Sequence, residues 1–115
     1  MGLDTYAARG GKLLNDDLFD VVPPVLLGGI MSGNGNGPSF RGKVYASFIY
    51  SAIGLDLYQE EIPNDAVVKA ADQLEKWVSE NPESGFEGIS REEIEALAKW
   101  FRVTADNGGV VVGWW

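Results

Sequence analysis

Gly28-Gly29-Ile30-Met31-Ser32-Gly33-Asn34-Gly35-Asn36-Gly37-Pro38-Ser39-Phe40-Arg41-Gly42-Lys43 divides the chain into two halves of different character. Behind this glycine-rich loop, Phe40, Val44, Phe48 and Ala52 recur at four-residue steps, with Tyr45, Ile49 and Ile53 in a second row beside them. So broad an apolar face predicts a largely buried helix over about 40–53. Gly54 is well placed to end it in the left-handed conformation. Ahead of the loop no such period exists.

There, Leu3-Asp4-Thr5-Tyr6-Ala7-Ala8-Arg9 alternates as a strand does, and Gly10-Gly11 is a turn signal that folds it back onto Lys12-Leu13-Leu14. Asn15 or Asp16 is suited to cap a single helical turn. Pro23-Pro24 forbids a helix through that point, and Val25-Leu26-Leu27 predicts a short buried strand running into the loop.

Past the first helix, Leu55-Asp56-Leu57-Tyr58 reads as an extended connector anchored by its leucines. Pro63, Asn64 and Asp65 announce a helix over 64–80, with Val67, Ala71, Leu74 and Val78 as its buried stripe. A turn-rich connection over 81–88 follows. Ser90-Arg91-Glu92-Glu93 matches the capping box, in which serine and glutamate satisfy each other's free backbone amides. Ile94, Leu97, Ala98 and Phe101 carry that helix through 91–105, and Asn107-Gly108-Gly109 stops it. The tail, Val110-Val111-Val112-Gly113-Trp114-Trp115, is β-branched and aromatic and predicts a strand paired with residues 3–8. This order favours an α+β fold: one domain over 1–115, with a small sheet from the N-terminal hairpin and C-terminal strand, packed with about three helices. A mostly helical bundle with a two-stranded patch is the alternative.

Composition narrows the chemistry. The 115 residues are 45% apolar and include four Trp, four Tyr and five Phe, enough for a single core, but no Cys and no His. Disulfides, thiolate nucleophiles, Cys-rich zinc sites and imidazole acid–base chemistry are therefore excluded. No run approaches a membrane span and no signal-peptide pattern opens the chain, so the expected compartment is cytoplasmic. The net charge of −8 is uneven: residues 1–53 balance, while residues 54–115 carry thirteen acids against five bases. Such a balance argues against direct nucleic-acid binding and suits a protein partner, a basic one in particular, or simply a solvated acidic surface.

The loop itself invites a phosphate reading. Gly37 to Lys43 satisfies G-x-x-x-x-G-K, but Val44 stands where the magnesium-binding hydroxyl belongs, and no later apolar strand ends in Asp. Pro38 likewise occupies the third-glycine position of a dinucleotide fingerprint. No cofactor is expected. What remains is a geometric expectation. Ser39 caps the helix, amides 40–42 stay open, and Arg41 and Lys43 gather positive potential, with Ser32, Asn34 and Asn36 as polar selectors. Either a phosphate or carboxylate answers those charges, or Asp16, Asp17 or Asp20 of the same chain does. The adjacent acids Asp16-Asp17, Glu60-Glu61 and Glu92-Glu93 diverge on a helix and form no metal or catalytic pair. Trp77, Trp100, Trp114 and Trp115 form the second candidate, a protein interface, because consecutive tryptophans on a strand face opposite ways and only one of them enters a given core.

The opening Met1-Gly2-Leu3-Asp4-Thr5-Tyr6-Ala7, the segments Ser32-Gly33-Asn34-Gly35 and Ser39-Phe40-Arg41-Gly42-Lys43-Val44-Tyr45, and later Leu57-Tyr58-Gln59-Glu60 with Ile62-Pro63 resemble a group of small proteins of bacteria and their phages. About two thirds of the chain is covered. The resemblance implies a bacterial or phage origin and, the group having no assigned activity, no catalytic residue. The expected function is a small acidic protein that binds another protein without catalysis; the alternative is a binder or hydrolase of a phosphorylated small molecule at residues 32–43.

Overall fold

The computed structural model describes residues 3–27, 37–82, 85–86 and 88–115. Strand β1 (Asp4–Arg9) turns through Gly10-Gly11 into β2 (Lys12–Leu13), and one 3-10 turn follows at Asp16–Phe19, capped by the Asn15 side chain. Then come β3 (Ser39–Arg41), α1 (Gly42–Ile53), β4 (Glu61–Ile62), α2 (Asn64–Glu80), α3 (Arg91–Asp106) and β5 (Val110–Trp114). The fold is α+β, and the sheet is antiparallel throughout, in the order β2-β1-β5-β4, with β3 joined to β1 beside β2.

β1 is the centre of the sheet because it has a partner on both edges. β5 runs its length, from Asp4 opposite Trp114 to Ala8 opposite Val110. Its other edge is shared by β3 over Asp4–Tyr6 and by β2 over Ala8–Arg9. Alternation sorts the two faces. Thr5, Ala7 and Val111 are buried beneath the helices, whereas Asp4, Tyr6, Val112 and Trp114 turn to the opposite face.

Two expectations need correction, and one short strand is added. Val25-Leu26-Leu27 is not a strand: the amide of Val25 bonds Pro23 O at 2.8 Å in a tight turn, and β2 and β3 already fill that edge of β1. Leu26 is still buried. The first helix begins at Gly42, not 40, because Ser39-Phe40-Arg41 is drawn into the ladder with β1. Glu61–Ile62 pairs with β5, a strand too short to show any period in the sequence. The remaining boundaries agree with expectation: Gly54 closes α1 at φ 72°, and the capping box is complete at Ser90 and Glu93.

Gly42 is set by close approach. A Cβ there would stand 2.0 Å from Thr5 Oγ1 and 2.9 Å from Leu3 Cδ2, so only glycine lets α1 start against β1. Gly113 serves the same purpose for the opposite edge, where a Cβ would meet the carbonyls of Gln59 and Leu57 at 2.6 and 2.8 Å.

Helices α2 and α3 lie antiparallel, and each ends without a basic residue in its last turn. Each is capped by the other. The Asn64 amide of α2 donates to Ala105 O and Gly109 O at 3.2 and 2.9 Å, while the Arg91 guanidinium of α3 donates to Val78 O at 2.9 Å and to Asn81 O. These bonds bring side-chain donors to carbonyls at and just beyond the two helix C-termini, where Ala105 O also accepts the Gly108 amide at 3.1 Å. Among the described residues no helix is long and apolar enough to cross a membrane.

Two outcomes follow for stability. Asn64→Ala and Arg91→Ala each lower the unfolding free energy by about 1–2 kcal/mol in urea titrations, and the double variant shows their sum, because the caps sit at opposite ends of the pair. Gly42→Ala costs about 1–3 kcal/mol through overpacking.

Candidate interaction surface

The glycine-rich stretch is held at both of its described ends. Leu27 receives the Arg41 amide on its carbonyl at 2.7 Å, and its own amide donates to the Tyr45 hydroxyl at 2.8 Å. Gly37 O accepts the Trp100 indole N–H at 3.1 Å, and Pro38 O accepts the Ala7 amide at 2.8 Å. Ser32, Asn34 and Asn36 lie outside the described residues.

The helix terminus is built differently from the expectation. Arg41, not Ser39, precedes the first turn of α1, and no side chain caps it. The Arg41 amide is bonded to Leu27 O and the Lys43 amide to Leu3 O at 3.2 Å, so neither faces a ligand. Among the described residues no ion pair joins Arg41 or Lys43 to Asp16, Asp17 or Asp20, and both cations are exposed. Instead the register puts Arg41 and Trp114 on either side of Asp4, on the sheet face away from the helices.

The tryptophans divide. Trp100 is fully buried in the core and leaves the interface group. Trp77 is half-buried with its ring edge-to-face on Phe48, at a centroid distance of 5.1 Å. Trp114 and Trp115 are both exposed, by 65% and 52%. Neither enters the core, because Gly113 is the last tail residue to pack inward.

Seven large apolar side chains are exposed among the described residues, and four of them are aromatic: Tyr50 at 63%, Tyr58 at 40%, Trp114 and Trp115. Tyr50 and Tyr58 line one groove of about 820 Å³ together with Lys43, Ala46, Ser47, Ser51 and Asp56. Tyr58 meets Trp115 edge-on at 5.6 Å, and Trp114 and Trp115 line the next notch with Glu60 and Gly113. Asp56 holds Tyr58 in place by accepting its amide at 2.8 Å. Tyr50 and Tyr58 were not singled out from the sequence, although a signal was present. Lys43, Ser47 and Tyr50 form a polar stripe opposite the apolar rows of α1, and the inward leucines 55 and 57 leave 56 and 58 outward.

A second polar cluster is structural in its placement. The buried Tyr45 hydroxyl donates to Glu93 Oε2 at 2.5 Å, and Glu93 also accepts the Ser90 amide at 2.9 Å. Burial, with the bond to Glu93 behind it, pushes the Tyr45 phenol well above its ordinary range, so it stays protonated. For Glu93 burial opposes ionisation, but the hydrogen bonds from Tyr45 and Ser90 outweigh it and hold the carboxyl below its usual 4.5. Arg102 bonds Glu75 and Asp72 across the helix pair, which raises its pKa further, and Asp106 lies 3.6 Å away. Part of the acidic surface is therefore neutralised internally.

The Glu93 linkage carries a sign. A carboxyl lowered in the folded state contributes stability that is fully present above the unfolded value near 4.5 and is lost as pH falls through the folded value. Glu93→Gln keeps the capping geometry but not the charge. Urea midpoints measured at descending pH should show the parent losing stability relative to this variant below about pH 4.5; parallel curves would contradict the assignment.

Compared with known proteins, the chain matches no family model, no curated protein and no solved structure.

Proposed function

We propose that this chain is a non-catalytic binding protein whose working surface is the aromatic edge formed by Tyr50, Tyr58, Trp114 and Trp115. One observation carries the reading: four large aromatic side chains stand exposed on neighbouring segments, with Tyr58 and Trp115 in ring contact and Tyr50 and Trp114 lining the recesses beside them. Tyr and Trp gain most when such a surface is covered by a protein, since they bury large areas with little rotamer entropy and keep a polar atom for the rim. Grouped exposed aromatic area is a feature of protein interaction sites.

The acids beside it set the sign of the partner. Asp56 and Glu60 border the rings, and the chain as a whole carries −8, so a basic protein surface is favoured and an acidic one repelled. The phosphorylated-ligand reading at residues 32–43 draws no support from the amides of Arg41, before α1, and Lys43, in its first turn, which are bonded internally.

The test is affinity capture from the source cells with three forms of the full chain: the parent, Tyr58→Ala/Trp115→Ala, and Glu80→Lys/Glu92→Lys. Because Tyr58 and Trp115 are exposed, their removal leaves unfolding within about 1 kcal/mol of the parent. Capture of the same protein is expected from the parent and to fail with the aromatic variant. Undiminished capture by that variant would refute the assignment, and loss only with the charge-reversed form would move the working surface to the acidic helices.

A further inference from the structure

Val110-Val111-Val112 shows none of the alternation of a strand that keeps one face in water. Val111 is buried beneath the helices with Thr5 and Ala7, but the opposite face of the sheet is apolar too. Its rows are fixed by the ladder: Arg41, Asp4 and Trp114 stand side by side, then Tyr6, Val112 and Glu61, then Ala8 and Val110. Trp114 is exposed, and Tyr6, Val110 and Val112 are only half-buried. We infer that this face docks on the same face of a second copy of the chain, about a twofold axis that runs along the strands between β1 and β5.

The register decides how the two copies meet. A twofold along the strands lays β1 of one copy on β5 of the other, and the β3 edge on the β4 edge. Tyr6 then meets Val112, Ala8 meets Val110, and Asp4 meets Trp114, whose indole N–H is a donor for the carboxylate. Arg41 comes over the β4 edge one row, about 6.8 Å, from Glu61, within reach of its long side chain, and symmetry makes that pair twice. Both residues are exposed, and among the described residues Arg41 makes no ion pair. Inside one copy they stand three strand spacings apart, about 14 Å, with β1 and β5 between them, so the pair forms only between copies.

Other arrangements fit less well. An axis across the strands sets Glu61 on Glu61 and Tyr6 on Tyr6. A basic protein would meet Arg41 on this face. The net charge of −8 opposes the contact only weakly, because the strands contribute Asp4, Glu61 and Arg41 here and charge elsewhere is screened over about 8 Å. Four strands across and five residues along, Asp4 to Ala8, give a footprint of roughly 19 by 17 Å on each copy. With side-chain relief that is on the order of 1,000 Å² in total, the low end for specific association, so the dimer is weak. It takes up Trp114 and leaves Tyr58 and Trp115, on the other side of the tail, to the partner proposed above, on which it does not depend.

The experiment is sedimentation velocity of the full chain over about 5–500 µM, where a monomer–dimer equilibrium with a Kd on the order of 10–100 µM is expected. Val112→Lys should leave a monomer throughout that range. Arg41→Glu and Glu61→Arg should each weaken the dimer about tenfold, since the twofold applies each change twice. An equimolar mixture of those two variants should regain the parent's affinity, because the reversed charges then meet opposite signs at both ends of the interface. Arg41 and Glu61 are exposed, so neither variant disturbs the fold, and far-UV circular dichroism checks this. A parent that stays monomeric, a folded Val112→Lys chain that still dimerises, or a mixture no tighter than its separate components would each overturn the inference.

Discussion

The Trp100 indole is the contact on which most of the architecture converges. It is fully buried on α3, stacked edge-to-face with Phe40 of β3 at 4.7 Å and with Phe101 at 5.2 Å, and tilted against Phe19 of the N-terminal turn at 5.7 Å. Its N–H has one partner, the Gly37 carbonyl. A buried indole donor left unpaired is costly, so the bond places Gly37, and hence the start of β3, within a narrow range. Phe40 meets the ring from an extended backbone. That geometry carries Ser39–Arg41 into the ladder with β1 and postpones the helix to Gly42.

The helix pair solves a different problem. Neither α2 nor α3 supplies its own C-terminal cap from a basic residue, and each borrows one from the first residue of its neighbour. This arrangement couples the two helices at both ends and settles their antiparallel register. Arg102 then adds a lateral tie to Asp72 and Glu75. These ion pairs are partly exposed and contribute modestly to stability; their larger consequence is electrostatic, since they remove some of the acid charge from the surface. Near the aromatic edge, negative charge comes from Asp4, Asp56 and Glu60.

The aromatic edge exists because of how the sheet closes. β5 occupies β1 along its whole length, and residues 57–60 then cross over Gly113 so tightly that no side chain fits between them. The chain after Gly113 is left beyond the core, with Trp114 on the open face of the sheet beside Asp4, and Trp115 on the other side against Tyr58. Tyr50, carried on the polar stripe of α1, completes the surface. Both terminal indoles stay exposed as a result.

Local signals were sufficient for most elements. The Ser90–Glu93 capping box, the 64–80 stripe, the Gly10-Gly11 turn and the pairing of the tail with residues 3–8 all follow from hydrogen-bonding geometry or side-chain period within a few residues, and each is present. The opposite orientation of consecutive tryptophans follows from the period of a strand. Other features depend on which segments meet. Phe40 belongs to the apolar rows of a helix by spacing but becomes strand when β1 offers it amides and Trp100 offers it a ring. Val25-Leu26-Leu27 has the composition of a strand but finds the edge of β1 already occupied. Asn64 reads as an ordinary helix-start residue, and only the antiparallel packing of α2 on α3 turns its amide toward Ala105 and Gly109. The grouping of Tyr50, Tyr58, Trp114 and Trp115 is of the same kind. Their exposure is foreshadowed by periodicity, but their placement on neighbouring segments is not, because α1, the 55–60 connector and β5 lie far apart along the chain.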